Sequence, residues 1–251
     1  MRTQRGRRGT KKWKWLIPAL GIVILAAAFL VYAGIYYRAG TVAQAMLESD
    51  EAVAVAQTDY GWLFDGPSET DALIFYPGAK VEETAYAPLL HAIAEGGVDV
   101  CLVRMPFHLA FFGLNRADGV MAAHGYSRWY IGGHSLGGAM AASYAAGHAS
   151  QLAGVVLLAA YATKPLDDRL LAVTIYGSED GVLNMKRMEE GERCLPKDHR
   201  EHVIQGGNHA QFGDYGEQRG DGTAAISAGE QQRRTAELIL EDLLSDSPAT
   251  D

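Results

Sequence analysis

From residue 71 onward the chain alternates short apolar runs with segments of helical composition. ALIFYP (72–77), VDVCLVRMP (98–106), RWYIGG (128–133), GVVLLAA (154–160), LAVTIYG (171–177) and EHVIQGG (201–207) have the length and residue types of strands. Segments 84–95, 115–124, 136–149 and 184–192 read as helices, and 229–244 sets Leu238, Ile239, Leu243 and Leu244 beside charges as an amphipathic terminal helix does. Upstream, EAVAVAQTDYGWLFDG predicts two short strands around a turn at Thr58 to Gly61. Strands this apolar, separated by helices, predict an α/β fold with a mainly parallel sheet covered on both faces. Ligands of such sheets bind at the carboxyl ends of the strands. The segment between the fourth and fifth of these apolar runs, 161–170, is too short for a cap domain.

A different pattern occupies the N-terminus. Leu16 to Tyr37 run for 22 residues without a charge. As a helix they would span roughly 33 Å, enough for a hydrocarbon core of about 30 Å. Trp13, Trp15, Tyr36 and Tyr37 flank the run as an aromatic belt does, and Pro18 is expected in the first turn. The expected division is a basic cytoplasmic arm (1–15), a transmembrane helix (16–37), a stalk (38–50), a catalytic domain (51–244) and a polar tail (245–251). The alternative is a cleaved signal peptide, with AQA at 43–45 as its small-residue site and a secreted product.

Charge sharpens this topology. Residues 1–14 carry seven cations and no acid, leaving the remainder with 15 cations against 30 acids. The arm should stay in the cytoplasm and the acidic body should face outward. An acidic body also argues against nucleic acid as a partner, since phosphate binding needs a basic face. Cys101 and Cys194 make no disulfide framework, and neither has metal-ligand spacing. His199 and His202 stand three apart but lack acidic ligands at zinc-motif positions, so no metal is expected.

The candidate chemistry lies on the loops after the strands. Gly133-His134-Ser135-Leu136-Gly137 is a G-x-S-x-G sequence between an expected strand and an expected helix, the context in which the central serine becomes a nucleophile. A serine hydroxyl needs a histidine to take its proton and a carboxylate to orient that histidine. Asp180 follows the strand LAVTIYG, with Glu179 as the alternative acid, and His209 follows EHVIQGG. An oxyanion hole would use the Leu136 N–H and a second donor after the first apolar strand, Ala79 first and Lys80 next. Phe107, Phe111 and Phe112 could line an acyl pocket or cover the core. His134 is expected to pack beside the nucleophile or to line the site. No Gly-Lys-Ser/Thr follows the glycine-rich elbow, so it is not expected to cradle phosphate.

On FYPGAKVEETAYAPL, VRMPFHLAFFGLNRAD, YIGGHSLGGAMAASYA, IYGSEDGVLN and GGNHAQFGDYGEQRGDGTAAIS, the chain resembles the α/β-hydrolase superfamily over about residues 50–244. The likeness is to the small lidless fold-5 group and, more loosely, to dienelactone hydrolases, which typically carry cysteine where this chain has Ser135. The resemblance implies a Ser135, Asp180, His209 triad with an oxyanion hole at Leu136 and Ala79. Together with the apolar N-terminal run, the expected protein is a membrane-anchored serine hydrolase of carboxylic esters, without cofactor, acting on a small-molecule or envelope-associated ester. Acyl transfer by the same triad and a non-catalytic binding protein on the same fold are the alternatives.

Overall fold

Burial on both faces of a strand favours a continuous apolar run, and two neighbouring inner strands of this protein show it beyond their first residue. In the computed structural model, which describes residues 10–245, β3 (Asp71–Tyr76) and β4 (Asp99–Val103) are buried along their whole length. They lie within an eight-stranded sheet that also contains β1 (Ala54–Gln57), β2 (Gly61–Asp65), β5 (Arg128–His134), β6 (Gly154–Leu158), β7 (Leu171–Gly177) and β8 (Arg200–Ile204). The strand order is β1-β2-β4-β3-β5-β6-β7-β8. β2 pairs antiparallel with both β1 and β4, and every pairing from β4 through β8 is parallel.

The described part of the N-terminal unit, which ends at Tyr36, holds one helix, α1 (Thr10–Gly34). Its Trp15–Gly34 stretch has a mean hydropathy of 2.5 and is long and apolar enough to cross a membrane. Two expectations are corrected here. Pro18 sits inside α1 rather than in its first turn, and the helix stops at Gly34 rather than at Tyr37. Glycine is the residue that most readily leaves helical geometry, which accounts for the stop.

The second unit begins at Tyr37. Its helices are α2 (Thr41–Ala45), α3 (Ala87–Glu95), α4 (Arg116–Ala123), α5 (Leu136–His148), α6 (Met185–Glu192) and α7 (Ala228–Ser245). Leu73, Phe75, Val100, Leu102 and Tyr130 point to one face of the sheet, where Leu89, Ile93, Ile239 and Leu243 from α3 and α7 cover them. Ile74, Cys101, Ile131 and Val155 point to the other, under Ala117 and Val120 of α4 and Ala141 and Ala145 of α5. That is the period-2 alternation of a strand meeting the 3.6-residue period of a helix. Residues 159–170 carry no helix or strand, so no cap stands over this edge of the sheet.

Segment 38–50, expected as a stalk, is part of the domain instead. Ala39 and Ala43 are buried, and Tyr37 makes a parallel bridge with Val81. The carboxylate of Asp214 accepts the Ala43 N–H at 2.8 Å, and that of Glu82 accepts the Ala39 N–H at 3.1 Å. Small residues in and just before the short helix α2 leave room for this close approach.

Candidate active site

The turn from β5 into α5 places Ser135 in a backbone conformation that L-residues avoid, with φ 54° and ψ −122°. Two hydrogen bonds hold it there: Ser135 N–H to the Leu158 carbonyl at 2.8 Å and Ala139 N–H to the Ser135 carbonyl at 3.0 Å. The flanking glycines have a steric reason. A Cβ on Gly133 would stand 2.3 Å from the Tyr76 carbonyl oxygen, and one on Gly137 2.1 Å from the same atom. The end of β3 therefore runs directly against the serine turn, and only glycine permits that approach.

Asp180 and His209 come together from the ends of β7 and β8. His209 Nδ1 lies 2.8 Å from Asp180 Oδ2, and both side chains are buried. The other carboxylate oxygen, Oδ1, accepts the Val182 and Leu183 N–H groups at 2.8 and 2.7 Å, which fixes the rotamer of the acid. Glu179, the alternative acid, accepts a bond from Ser178 Oγ on the exposed side of the same loop. His209 Nε2 is buried and has no hydrogen-bond partner. Ser135, Leu136 and His209 line one cavity of about 260 Å³ with Ala139, Val182 and Asn184 among its other walls.

The loop carrying Ala79 packs beside the serine turn without lining that cavity. Tyr86 links the two. Its hydroxyl accepts the Gly78 N–H at 3.0 Å and lies 2.8 Å from His134 Nδ1. Having accepted one bond, the hydroxyl keeps its proton for His134 Nδ1, as a neutral imidazole protonated at Nε2 requires. Burial, reinforced by the nearby His209 ring at 4.5 Å, keeps His134 well below the ordinary histidine range and outweighs an opposing backbone contact with His209. His134 thus packs behind the site, one of the two roles expected of it.

Phe107, Phe111 and Phe112 do not line the cavity. They are 45, 65 and 47 % exposed and stack edge to face on one another, with ring centroids 5.6 and 5.1 Å apart. The acyl-pocket expectation is therefore not met in this cavity, and the backbone at Phe107 and His108 is left-handed. His202 pairs with Asp242 at 2.7 Å, and among the described residues no group of three His, Cys, Asp or Glu side chains is set to hold a metal.

The family model of the alpha/beta hydrolase family matches residues 72–233, from β3 into α7 and across the serine, acid and histidine loops. The chain belongs to the alpha/beta hydrolase family. No curated protein sequence matches it significantly. Among solved structures, this alpha/beta hydrolase is similar to a membrane phospholipase A described as a bacterial virulence factor (14 % identity, TM-score 0.59, covering 93 % of this chain and 99 % of that one). It is also similar to carboxylesterase CesB from Bacillus subtilis (10 %, 0.56, 82 % and 96 %) and to a dienelactone hydrolase from Anabaena variabilis (14 %, 0.54, 78 % and 97 %). At such identities the likeness is one of fold.

Two residues of this alpha/beta hydrolase hold the site together without standing out in its sequence. Asp221 Oδ1 accepts the Gly181, His209 and Gly222 N–H groups at 3.1, 3.2 and 2.8 Å, and Oδ2 accepts that of Ala210 at 2.8 Å. One carboxylate thereby clamps the acid loop to the histidine loop. Gln231 of α7 brackets Asn208, accepting its N–H at 2.9 Å and donating to its carbonyl at 2.7 Å. Asp221 lies in a Gly-Asp-Gly turn, a pattern that signals a turn and nothing about its distant partners.

Proposed function

We propose that this alpha/beta hydrolase is a membrane-anchored serine hydrolase that cleaves carboxylic esters through an acyl-enzyme. The observation that carries the reading is the state of His209. Its Nδ1 is tied to a buried carboxylate, and its Nε2 is left without a partner in a cavity shared with a serine on a strained turn. Ser135 Oγ attacks the ester carbonyl while His209 Nε2 takes the hydroxyl proton. Asp180 stabilises the resulting imidazolium. The proton then passes to the departing alkoxide, and the acyl group stays on Oγ. Water, deprotonated by the same nitrogen, attacks the acyl-enzyme, and the carboxylic acid leaves.

The negative charge on the tetrahedral oxygen is assigned to the N–H groups of Leu136 and Ala79. Leu136 is the first residue of α5, where helix N–H groups lack internal acceptors, and Ala79 N–H makes no hydrogen bond among the described residues. Acyl groups of modest size suit a cavity of about 260 Å³.

Retention of α1 is favoured over cleavage by the packing of the segment that follows it. A cut at 43–45 would fall inside α2, where Ala43 is fully buried, and would strip Tyr37 and Ala39 from the domain. The N-terminus is then cytoplasmic and the hydrolase domain lies outside.

The test is hydrolysis of p-nitrophenyl acetate, butyrate and octanoate by the full chain in detergent. Ser135→Ala is expected to lower kcat by about four to six orders of magnitude and to abolish fluorophosphonate labelling. Turnover that persists in this variant would refute the assignment of the nucleophile.

A further inference from the structure

We propose that Tyr86 and His134 act as one positioning unit, which fixes the loop bearing Ala79 and the ring of His209 in register with each other around Ser135. This rests on Ser135 as the nucleophile, His209 as the base and the Leu136 and Ala79 N–H groups as the oxyanion hole. Neither Tyr86 nor His134 lines the catalytic cavity, so both act through other residues and not on the substrate.

The first support is the place of the Tyr86 hydroxyl. Tyr86 ends a 3-10 turn (Glu83–Tyr86) ahead of α3 and is fully buried, its ring centroid 5.1 Å from that of Phe75. Phenylalanine would fill the same volume without the cost of burying a hydroxyl, so packing alone does not account for a tyrosine here. The hydroxyl serves two partners, accepting the Gly78 N–H at 3.0 Å and donating to His134 Nδ1 at 2.8 Å. A Cβ on Gly78 would stand 2.7 Å from that hydroxyl and 2.8 Å from His134 Nδ1, so the backbone of the loop lies directly on the pair. The Ala79 N–H shares a peptide plane with the Gly78 carbonyl, and holding Gly78 therefore aims the oxyanion donor.

The second support is the contact between His134 and His209. His134 closes β5, directly before Ser135, and is buried. Its ring stands 4.5 Å from that of His209, at an angle of 53°, and 5.5 Å from that of Phe212 in the turn that follows His209. The bond to Asp180 holds Nδ1 of His209 but leaves the ring able to pivot about that bond, which would carry Nε2 away from Ser135. A second ring packed at 4.5 Å narrows the pivot. His134 is in turn held by the Tyr86 hydroxyl, since its own Nε2 has no hydrogen-bond partner. Burial keeps His134 uncharged, so it steadies the base without opposing the imidazolium that forms there. One hydroxyl thus sets both the oxyanion loop and the base, and a misplacement of about 1 Å in such groups costs about 100-fold in rate.

The test is kcat per active site for the full chain in detergent with p-nitrophenyl butyrate, the sites being counted by fluorophosphonate titration run to completion. In Tyr86→Phe, kcat per titrated site is expected to fall about 10- to 100-fold with KM within about twofold. The inhibition constant of a trifluoromethyl ketone should rise by the factor that kcat/KM loses. Ser135 Oγ adds to the ketone carbonyl and its proton passes to His209 Nε2, so the adduct carries the oxyanion and imidazolium of the transition state. His134→Gln leaves Tyr86 an acceptor and Gly78 its partner but removes the ring beside His209. It should lose less than Tyr86→Phe, and the double variant should match Tyr86→Phe within about threefold. A loss seen only as fewer titratable sites, or carried by KM, would reduce the pair to a structural role and overturn the proposal. Losses that multiply in the double variant, or an unchanged kcat in both single variants, would overturn it as well, while an inert Ser135→Ala leaves the nucleophile standing. Turnover that survives Ser135→Ala would remove the nucleophile reading and this inference together.

Discussion

His134 shows how a single buried group sets a pH dependence that its neighbours do not share. Its imidazole is fully enclosed and held neutral well below the ordinary histidine value of 6.5. The unfolded chain therefore binds a proton here that the folded chain refuses. Stability from this group is complete above the unfolded value and is lost as pH falls below about 6.5, by up to about 1.4 kcal/mol per unit. Asp99 works in the opposite sense. Burial raises its carboxyl to about 6, so the folded chain takes up its proton before the unfolded chain does, and acidification favours folding there. A melting curve of the protein alone would mix the two effects. The stability difference between the protein and His134→Gln isolates the first, and urea titrations at pH 7.5, 6.5 and 5.5 should show the gap narrowing as pH falls. A gap that stays constant would mean that His134 takes up its proton in the fold. At this scale the meeting of Asp180 with His209, and of His209 with Ser135 at one cavity, is legible in the sequence because each residue follows an apolar strand in a loop with its own turn residues. The role of Tyr86 is not, because its hydroxyl serves Gly78 and His134, the latter 48 positions away.

Elements bring the loops near one another, and Asp221 decides how firmly the acid and histidine loops are locked. Removing its carboxylate in Asp221→Ala leaves four N–H groups without their acceptor, on both sides of the Asp180–His209 pair. The expected result is a fall in kcat of about 10- to 100-fold with KM little changed, since the fault lies in the aim of His209 rather than in the cavity wall. Asp221→Asn keeps one acceptor oxygen, for the three N–H groups on Oδ1, and should recover part of kcat. Equal losses in the two variants, or a loss carried by KM, would argue that Asp221 acts only through stability. The strands and helices themselves were readable from their periods, to within a few residues at each end. What the pattern misassigned was 38–50, where a short run of small and polar residues looks like a linker. Ala39 and Ala43 sit under the domain because Glu82 and Asp214 reach them across the fold, and no local pattern reports such partners.

For the molecule as a whole, the knot at Tyr37, which donates to the Lys80 carbonyl and accepts the Glu82 N–H, means that the segment joining α1 and the domain also stabilises the domain. The chain beginning at Tyr37 keeps every contact of the second unit. The chain beginning at residue 46 loses the Tyr37 bonds to Lys80 and Glu82, the N–H groups that serve Glu82 and Asp214, and the cover that Ala39 and Ala43 provide. Two carboxylates deprived of donors cost about 3–6 kcal/mol together. For a domain of this size that lowers the melting temperature by roughly 10–20 °C. Thermal denaturation of the two truncated chains, side by side at neutral pH, measures it. Because Lys80 and Glu82 flank the loop that bears Ala79, the shorter chain should also lose kcat at temperatures where it is still folded. If the two chains melt together and turn over esters equally, the Tyr37 knot is ornamental, and a signal peptidase could remove everything before residue 46 without harm. If they differ as expected, α1 cannot be cut off at 43–45 without damaging the site.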